Sequence, residues 1–414
     1  MMERTPVVVI LGGGFAGLHA VKVLADEPVK IILVDKNNYH LFQPLLYQVA
    51  TAGLGPEDIS YPLRAILQQQ SNTEFHMAEA VDINLEGKKL ITSNGEIDYD
   101  YLLVAVGAVT NFFGNANVAK NAYGLKNLED AFKLRNHILS MCELATQEND
   151  PAIRRELLTF IVTGGGATGV ECIGGIAELV HHVLVKDYPE LDFSESSLLL
   201  LEGGDRLLVS MPEDLSMAAL TELRRKGVDV RFHAKVDDFD SRGVRLADGT
   251  SIPARTLVWG AGVRCAPIIE KCKVQTDRLG RAMVLPTLQL PEYPEVFVVG
   301  DAAHYKQDGR PLPMIAPVAV QQAETAAKNV LNIVQGNPLQ NFLYRELGNL
   351  ATIGRSFAVA HFNRWKFSGF FAWLLWLAVH LIRLVGFRNR FIVTINWAWD
   401  YFFYDRALRM IHRL

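Results

Sequence analysis

The chain opens with a β-branched apolar run that leads directly into a cluster of glycines. Residues 7–11 read VVVIL, GGGFAG follows at 12–17, and an amphipathic stretch continues as far as Asp26. A second apolar run, residues 30–34, comes directly afterwards. This order predicts a strand, a tight turn, a helix and a second strand, which is the βαβ unit of dinucleotide-binding folds.

The same order of segments returns about 150 residues further along the chain. TFIVT at 159–163 precedes GGGATG at 164–169, and a helical stretch to Val185 leads to the apolar run 198–201. A repeated βαβ unit predicts two nucleotide-binding domains in one chain. Two such domains need two dinucleotides, and the simplest pair is a tightly held flavin with a nicotinamide donor.

Turn and strand signals outside these units predict β inserts and a late helix. Asn94-Gly95 and Asp248-Gly249 each lie between alternating apolar segments, as two-residue hairpin turns require. The apolar run 296–299 predicts a buried strand that stops at Gly300-Asp301, and residues 316–336 follow as a helix. The predicted fold class is therefore α/β, with two Rossmann-like domains that carry β inserts.

The last part of the chain follows a different pattern. Between residues 367 and 387 the strongly polar positions are Ser368, His380 and Arg383. Helical spacing places six apolar side chains on one face, namely Phe370, Trp373, Leu374, Leu377, Leu381 and Leu384. Because His380 and Arg383 share another face, we expect an amphipathic helix that lies in a membrane interface rather than across the bilayer.

A second amphipathic helix is predicted after Gly386. Its apolar side carries Phe391, Ile395, Trp399 and Phe402. It ends with three arginines that can reach anionic lipid headgroups, namely Arg406, Arg409 and Arg413. The alternative stays open that both helices pack together in a soluble dimer interface, which predicts a homodimer.

Charge and aromatic content also set this segment apart. The 414-residue chain has a net charge of −4, yet residues 361–414 hold eight Lys or Arg, two Asp and five of the six tryptophans. A basic, tryptophan-rich segment is typical of proteins that dock on a lipid surface. The chain as a whole lacks the positive field on which nucleic-acid binding depends, so we expect no nucleic-acid partner.

Cysteine usage and the N-terminus indicate a reducing compartment. Cys142, Cys172, Cys265 and Cys272 form neither a CxxC pair nor a metal-ligand spacing, so no disulfide framework and no metal site are expected. Only six residues precede the first strand, without a basic leader or a cleavage site. We therefore expect a peripheral protein on the cytoplasmic face of a membrane.

The first glycine cluster matches the dinucleotide fingerprint GxGxxG. Gly12 permits the tight turn, Gly14 lets the backbone approach a pyrophosphate, and Gly17 lets helix and strand pack closely. Asp35 ends the next strand, where a carboxylate accepts hydrogen bonds from ribose hydroxyls.

The second cluster, with Gly164, Gly166 and Gly169, repeats the fingerprint, and Glu202 ends the strand that follows. A carboxylate here binds a free 2′-hydroxyl and repels a 2′-phosphate, which favours NADH over NADPH. Arg206, four residues later, supports the alternative in which an arginine holds the 2′-phosphate.

Segments along the whole chain resemble the type II NADH dehydrogenases, which are single-subunit NADH:quinone oxidoreductases that do not pump protons. The segments are GGGFAG at 12–17, YHLFQPLLYQVATAGL at 39–54, AVGAVTNFFG at 105–114, GGGATGVE at 164–171, VWGAGV at 258–263, VVGDAA at 298–303, LATIGRSFAVA at 350–360 and GFRNR at 386–390. The two fingerprints are common to flavoproteins that bind two dinucleotides, whereas NFFG, WGAGV, ATIGR and GFRNR are more specific.

The resemblance implies that the first fingerprint binds FAD non-covalently and the second binds NADH. The residues implied for FAD are Gly12, Gly14, Phe15, Ala16, Gly17, Asp35, Lys36, Ala105, Gly107, Asp301 and Ala302. Those implied for NADH are Gly164, Gly166, Gly169 and Glu202, and Gly262 is a further implied cofactor-binding residue. Glu171 matches the family glutamate near the nicotinamide and flavin. Its other interpretation is a first-turn acid stabilised by the helix dipole.

The family's quinone motif, AQxAxQ, is only partly kept. This chain reads Ala316-Pro317-Val318-Ala319-Val320-Gln321, so a proline replaces the first glutamine at a helix start, where proline is tolerated. The resemblance implies that Gln321, with Ala319, lies at the quinone site and that Gln321 is catalytic together with Glu171. The substitution puts the preferred quinone head group in doubt more than quinone reduction itself.

The expected function is transfer of a hydride from NADH to FAD and then of two electrons to a membrane quinone. The expected domains are 1–113 and 264–336 for FAD, 114–263 for NADH, and 337–414 for association with the lipid bilayer, mainly through 361–414. Three alternatives stay open at this point. They are a soluble NAD(P)H-dependent flavin reductase with a non-quinone acceptor, a sulfide:quinone-type oxidoreductase, and a non-catalytic NADH-sensing flavoprotein.

Overall fold

The two βαβ units form two separate parallel sheets, one in each of two units of the chain. The computed structural model describes residues 4–403 and 408–411. The first unit comprises Met1–Leu41, Tyr61–Val109 and Val263–Glu346, and the second comprises Phe42–Ser60, Thr110–Gly262 and Leu347–Leu414. The domain limits expected from the sequence stay a prediction, since compactness does not report which ligand each segment binds.

The sheet of the first unit has five parallel strands. Their order is Val296–Val298, Tyr101–Val104, Val7–Leu11, Lys30–Asp35 and Thr73–Met77. The strand Val7–Leu11 is central, and Val8, Val9 and Ile10 are completely buried. A continuous β-branched run suits this place because both faces of a parallel sheet are covered.

Helices and a small antiparallel sheet complete the first unit. The helices are Phe15–Leu24, Leu63–Leu67, Ile268–Lys271 and Ala316–Val334, with a 3₁₀ turn at Gly300–Ala302. The antiparallel sheet joins Ala80–Asn84, Lys89–Thr92 and Gly95–Asp98, so the predicted hairpin is present, with its two-residue turn at Ser93-Asn94, one residue before the predicted Asn94-Gly95. Shorter strands are Tyr39–Leu41, Val263–Cys265, Ala282–Met283, Ala303–His304, Lys306–Gln307 and Arg310–Pro311, while Ser60–Pro62 and Ala108–Thr110 lie where the chain passes between units.

The second unit contains a four-stranded parallel sheet. Its order is Val228–Arg231, Ser197–Leu201, Thr159–Thr163 and Thr256–Trp259. A three-stranded antiparallel sheet, Val236–Asp240, Gly243–Leu246 and Ser251–Ile252, confirms the hairpin at Asp248-Gly249. A second one joins Asn349–Thr352, Ala358–Phe362 and Trp365–Gly369. The repeated parallel sheets with β inserts confirm the predicted α/β class.

The helices of the second unit include two in the C-terminal region. They are Leu46–Ala50, Pro56–Ile59, Ala116–Asn121, Leu128–Gln147, Pro151–Leu157, Ala167–Glu178, Val185–Asp187, Glu213–Arg225, Phe370–Arg383 and Phe387–Phe403, with 3₁₀ turns at Gln43–Leu45 and Phe193–Glu195 and a π-helical turn at Leu179–Leu184. Among the described residues, Ala167–Asp187 is the helix long and apolar enough to cross a membrane, and 78% of its most apolar window is buried inside the protein. It therefore has the burial of a core helix.

Both predicted C-terminal helices are present, but the second ends at Phe403 among the described residues, residues 408–411 are not helical, and the predicted open face of the first is wrong at two of its six positions. Trp373 and Leu384, assigned to the membrane-facing side, are 8% and 1% exposed. The helix Phe370–Arg383 is apolar nearly all round, so its periodicity does not tell the packed face from the open one. Arg409 forms an ion pair with Asp187 at 2.9 Å instead of facing solvent, and Arg406 and Arg413 lie outside the described residues.

Candidate functional site

The first fingerprint places three glycines where a side chain would change the turn. Gly12 has φ +109°, and a Cβ there or at Gly17 would clash with backbone atoms, those of Ala105 and Gly12 respectively. A Cβ on Gly14, in contrast, would meet no described atom within 4 Å. Gly12 and Gly17 are therefore needed for packing, whereas Gly14 borders open space that a ligand can approach.

The helix Phe15–Leu24 starts at this open space. Its N-cap is Gly14, which has no side chain to cap the first turn. Uncapped N–H groups and the positive end of the helix dipole favour an anion such as a pyrophosphate. The geometry of this cradle, formed by residues 12–17, fits a dinucleotide.

Asp35 connects the cradle to the end of the neighbouring strand. Its Oδ2 accepts a hydrogen bond from the Gly13 amide at 2.6 Å, and its Oδ1 accepts one from the Asn37 amide at 2.7 Å. Burial raises the pKa of Asp35, although these two hydrogen bonds oppose the rise. The carboxylate is thus held at the place where ribose hydroxyls are bound in such folds, and Lys36 beside it is exposed.

His40 supports the same turn from inside and was not singled out from the sequence. Its Nδ1 donates to the Gly13 carbonyl at 3.1 Å, and the Phe15 ring contacts it edge-on, with centroids 5.2 Å apart. Burial lowers the pKa of His40 to about 4, so the imidazole is neutral. A histidine five residues after the end of a strand belongs to no sequence pattern that predicts such a contact.

The turn Gly300–Ala302 lies between the fingerprint helix and the helix Ala316–Val334. A Cβ on Gly300 would lie 3.1 Å from the Ala319 Cβ and 3.8 Å from the Ala16 Cβ. The Gly300 amide donates to Gln322 Oε1 at 2.7 Å. This packing brings Asp301 and Ala302 together with the first cradle, as the sequence pattern requires for a shared site. Gly107, with φ +68°, has open space where a Cβ would lie.

Gln321 and Gln322 differ in a way that the motif did not indicate. The Gln321 amide bonds the backbone of Arg345 twice, with Nε2 donating to its carbonyl at 2.9 Å and Oε1 accepting from its N–H at 3.0 Å. Gln322 is 1% exposed and holds the Gly300 turn, while Ala319 packs under that turn and is 8% exposed. The helical spacing of buried positions would have placed Gln322 on the buried face.

The second fingerprint repeats this geometry in the second unit. Gly164 has φ +103°, and a Cβ there would lie 2.6 Å from the Gly260 carbonyl oxygen. A Cβ on Gly169 would clash with the Gly164 carbonyl, and one on Gly166 would meet no described atom within 4 Å. The helix Ala167–Glu178 likewise starts without a side-chain cap from the described residues. This second cradle also fits a dinucleotide.

Glu202 occupies the position that Asp35 has in the first unit. Its Oε2 accepts from the Gly165 amide at 2.5 Å and its Oε1 from the Gly204 amide at 2.6 Å. Arg206 is committed to its own loop, since its guanidinium donates to the Val209 carbonyl at 2.9 Å and to the Met211 carbonyl at 3.4 Å. This geometry favours the interpretation in which a carboxylate, not an arginine, meets the ribose.

Glu171 is buried within the second unit. Its Oε1 accepts hydrogen bonds from the Thr352 amide and from the Trp376 indole, both at 3.2 Å. Burial raises the pKa of Glu171 to about 8, and the two hydrogen bonds oppose that rise. An acid with two partners in the C-terminal region is more than a solvated first-turn carboxylate. Thr352 belongs to the ATIGR segment, which the family resemblance had already singled out. No quoted sequence segment pointed to Trp376.

Gly262, a further predicted cofactor-binding residue, contacts the NFFG segment. The Gly262 carbonyl accepts from the Asn111 amide at 3.1 Å, and a Cβ on Gly262 would lie 3.0 Å from the Phe113 ring.

All four cysteines are free thiols, and burial raises their pKa values to about 12 for Cys142, Cys172 and Cys265 and about 11 for Cys272. Such thiols stay protonated at neutral pH, which disfavours thiolate chemistry.

Family models and sequence relatives cover nearly the whole chain. The pyridine nucleotide-disulphide oxidoreductase model matches residues 6–323, and the NDH2 C-terminal domain model matches residues 347–405. The chain is 39% identical to the type II NADH:quinone oxidoreductase Ndh of Mycobacterium tuberculosis, over 94% of this chain and 87% of that protein. It is 30% identical to the type II NADH:quinone oxidoreductase of Staphylococcus aureus, over 86% and 89% of the two chains.

Solved structures show the same fold. NDH2 from Plasmodium falciparum in complex with NADH superimposes with a TM-score of 0.89 at 21% identity, covering 99% of this chain and all of that one. The sulfide:quinone oxidoreductase of Aquifex aeolicus has a TM-score of 0.73 at 20% identity, with 96% of each chain covered.

Proposed function

Because this chain belongs to the type II NADH:quinone oxidoreductase family, we propose that it oxidises NADH and reduces a membrane quinone by way of bound FAD, without pumping protons. The observation that carries the proposal is a pair of dinucleotide cradles in one chain with a C-terminal region of the family's own type. Bound FAD would accept a hydride from NADH and pass two electrons on to the quinone.

The chain's own residues bind and orient the two dinucleotides. We propose that residues 12–17, Asp35, Lys36, Ala105, Gly107 and the turn Gly300–Ala302 hold FAD. Residues 164–169, Glu202 and Gly262 hold NADH. Glu202 selects NADH, since its carboxylate suits a 2′-hydroxyl and repels a 2′-phosphate, and since Arg206 is bonded to its own loop.

Glu171 and Gln321 are the proposed reaction-site residues. Glu171 is held through Oε1, and a carboxyl with a pKa near 8 carries a proton at neutral pH. Gln321 would contact the quinone through Nε2, which would donate to a quinone carbonyl in place of the Arg345 carbonyl. Ala319 supports the Gly300 turn from the protein side.

We propose that the C-terminal region docks on a lipid surface. Among the described residues of 361–414, fourteen large apolar side chains are at least 40% exposed, namely Trp365, Phe367, Phe370, Phe371, Leu374, Ile382, Phe387, Phe391, Ile395, Trp399, Phe402, Phe403, Met410 and Ile411. Exposed arginines, among them Arg364, Arg383 and Arg388, lie between them in the sequence. An apolar surface of this kind, interspersed with cations, matches the interface of an anionic bilayer.

The proposed reaction is tested with anaerobic stopped-flow absorbance of the full-length, FAD-containing protein. One equivalent of NADH should bleach the flavin rapidly, and a membrane quinone should then restore its absorbance, while NADPH bleaches it much more slowly. Bleaching without reoxidation by quinone would contradict the proposal and favour another acceptor or an NADH sensor.

Docking is tested by sedimentation with anionic phospholipid vesicles. Replacing Phe371, Phe387 and Phe402, which are 80%, 85% and 74% exposed, by serine should abolish sedimentation while FAD stays bound. The matched control replaces exposed apolar residues elsewhere, Met77 and Val209, and should sediment as the wild type does. Unchanged sedimentation of the triple variant, with a change of oligomeric state instead, would favour the dimer interface.

A further inference from the structure

Two hydrogen-bond donors to the Glu171 carboxyl come from the C-terminal region. The Thr352 amide and the Trp376 indole N–H both donate to Oε1, and both distances are 3.2 Å. Oε2 accepts no hydrogen bond from the described residues. The carboxyl is therefore held through one oxygen, and the other stays available to a reacting partner.

Trp376 itself has little freedom to move. It is 1% exposed, and the His380 ring stacks on it at 4.0 Å with 26° between the planes. His380 Nδ1 donates to the Trp376 carbonyl at 2.8 Å, and the Trp397 ring lies 5.7 Å away. Since a packed aromatic side chain has few rotamers to sample, the direction of its N–H is fixed.

The surroundings of Glu171 increase the effect of the hydrogen bond that the Trp376 indole donates. Burial raises the pKa of its carboxyl, and hydrogen bonds in a dry site are stronger than in water. The strand Asn349–Thr352 carries no titratable side chain, the helix Phe370–Arg383 carries His380 and Arg383, and the nearby helix Leu46–Ala50 carries Tyr47. The helix of Glu171 itself adds Cys172 and Glu178. His380 is neutral because burial lowers its pKa to about 4.

We infer that Trp376 is a positioning residue for the Glu171 carboxyl, so that the C-terminal region completes the reaction site as well as docking on the membrane. The inference deepens the proposed function, on which it rests for the role of Glu171 in turnover. Trp376 acts through Glu171 alone: it fixes Oε1 and stabilises the ionised carboxylate.

The test compares Trp376→Phe with Trp397→Phe in the full-length, FAD-containing protein. Trp397 is the matched control because its indole donates to Gln48 Oε1 at 2.8 Å and not to Glu171. We expect Trp376→Phe to lower kcat with quinone about fivefold, the effect of losing one hydrogen bond to a carboxyl that is mostly protonated at neutral pH, with an unchanged KM for NADH. Trp397→Phe should stay within about twofold of the wild type.

A double-variant cycle separates positioning from a general loss of structure. If Trp376 acts through Glu171, adding Trp376→Phe to Glu171→Gln should cause no further loss of kcat. Losses that multiply in the double variant would overturn the inference.

Infrared difference titration of the Glu171 carboxyl supplies a readout that does not depend on turnover. The band is identified by its absence in Glu171→Gln, and Trp376→Phe should raise the apparent pKa by about one. Should Trp376→Phe not fold, His380→Ala, which removes the stacked ring, should shift the pKa in the same direction by less. An unchanged pKa in the folded variant overturns the inference. If the wild type fails to reduce quinone, the proposed function fails, while this titration still tests Trp376.

Discussion

The two dinucleotide cradles share one design. In each, the amide of the residue after the first glycine, Gly13 or Gly165, donates to a carboxylate at the next strand end, Asp35 in the first and Glu202 in the second. The other carboxylate oxygen accepts from the amide two residues further on, at Asn37 and Gly204. Both helices begin at a glycine without a side-chain cap from the described residues.

The cradles differ two residues after the third glycine, where the first has His19 and the second has Glu171. His19 is about one-third exposed and lies 3.3 Å from Glu324, whereas Glu171 is buried and bonded to the C-terminal region. The common part of the design explains dinucleotide binding. The difference at this one helix position shows where the second unit adds a buried carboxyl to a binding fold.

The largest expected effect concerns Gly17 and Gly169, which let helix and strand pack closely in the two cradles. Gly17→Ala and Gly169→Ala would each force a Cβ into a backbone carbonyl, that of Gly12 or Gly164, so each should lower the free energy of unfolding by more than about 3 kcal/mol. Urea unfolding followed by circular dichroism measures this loss.

The controls for these variants are Gly14→Ala and Gly166→Ala, where a Cβ meets no described atom within 4 Å. They should fold normally, but the first should lose FAD and the second should bind NADH weakly, because the added methyl occupies the ligand's side. Equal stability of Gly17→Ala and Gly14→Ala would contradict the assigned packing roles.

The second expected effect concerns the buried Glu171 carboxyl, which distinguishes the second cradle from the first. The folded-state pKa of Glu171, about 8, lies above its ordinary value of 4.5, so the folded protein holds a proton that the unfolded chain releases. Stability from this group is therefore lost as the pH rises from about 4.5 to about 8. Glu171→Gln should remove that loss and be more stable than the wild type by about 4 kcal/mol at pH 8, and equal to it at pH 4.

Chemical unfolding across this pH range is the measurement, with His19→Gln as the matched control. His19 occupies the same helix position in the first cradle but is about one-third exposed, so its replacement removes no buried carboxyl. A difference between wild type and Glu171→Gln that does not vary with pH would contradict the burial of an ionisable carboxyl.

The smallest expected effect concerns the two carboxylates. Glu202→Gln should raise the ratio of kcat/KM for NADPH over NADH by about tenfold, since the repulsion of a 2′-phosphate is removed. Asp35→Asn should leave that ratio unchanged and instead weaken FAD retention, measured by flavin release on dilution. An equal change of nucleotide preference in both variants would contradict the assignment of one dinucleotide to each cradle.

Local patterns carried most of the fold and the two cradles. Strand, glycine turn, helix and strand-end carboxylate are fixed by spacing and by steric needs within about 40 residues, so each βαβ unit could be predicted at its observed place. Asp35 and Glu202 accept from the amides of Gly13 and Gly165 in their own fingerprints for the same reason. The reaction-site roles of Glu171 and Gln321 are predictions that rest on family membership.

Only the tertiary structure decided what surrounds Glu171 and which face of the helix Phe370–Arg383 is packed. The Thr352 and Trp376 bonds to Glu171 span 181 and 205 residues, and no local spacing relates such positions. Likewise, a helix that is apolar all round offers no polar side from which to infer its orientation. The physical reason is common to both cases: short-range sterics fix turns and strand ends, whereas burial and long-range hydrogen bonds depend on which distant segments pack together.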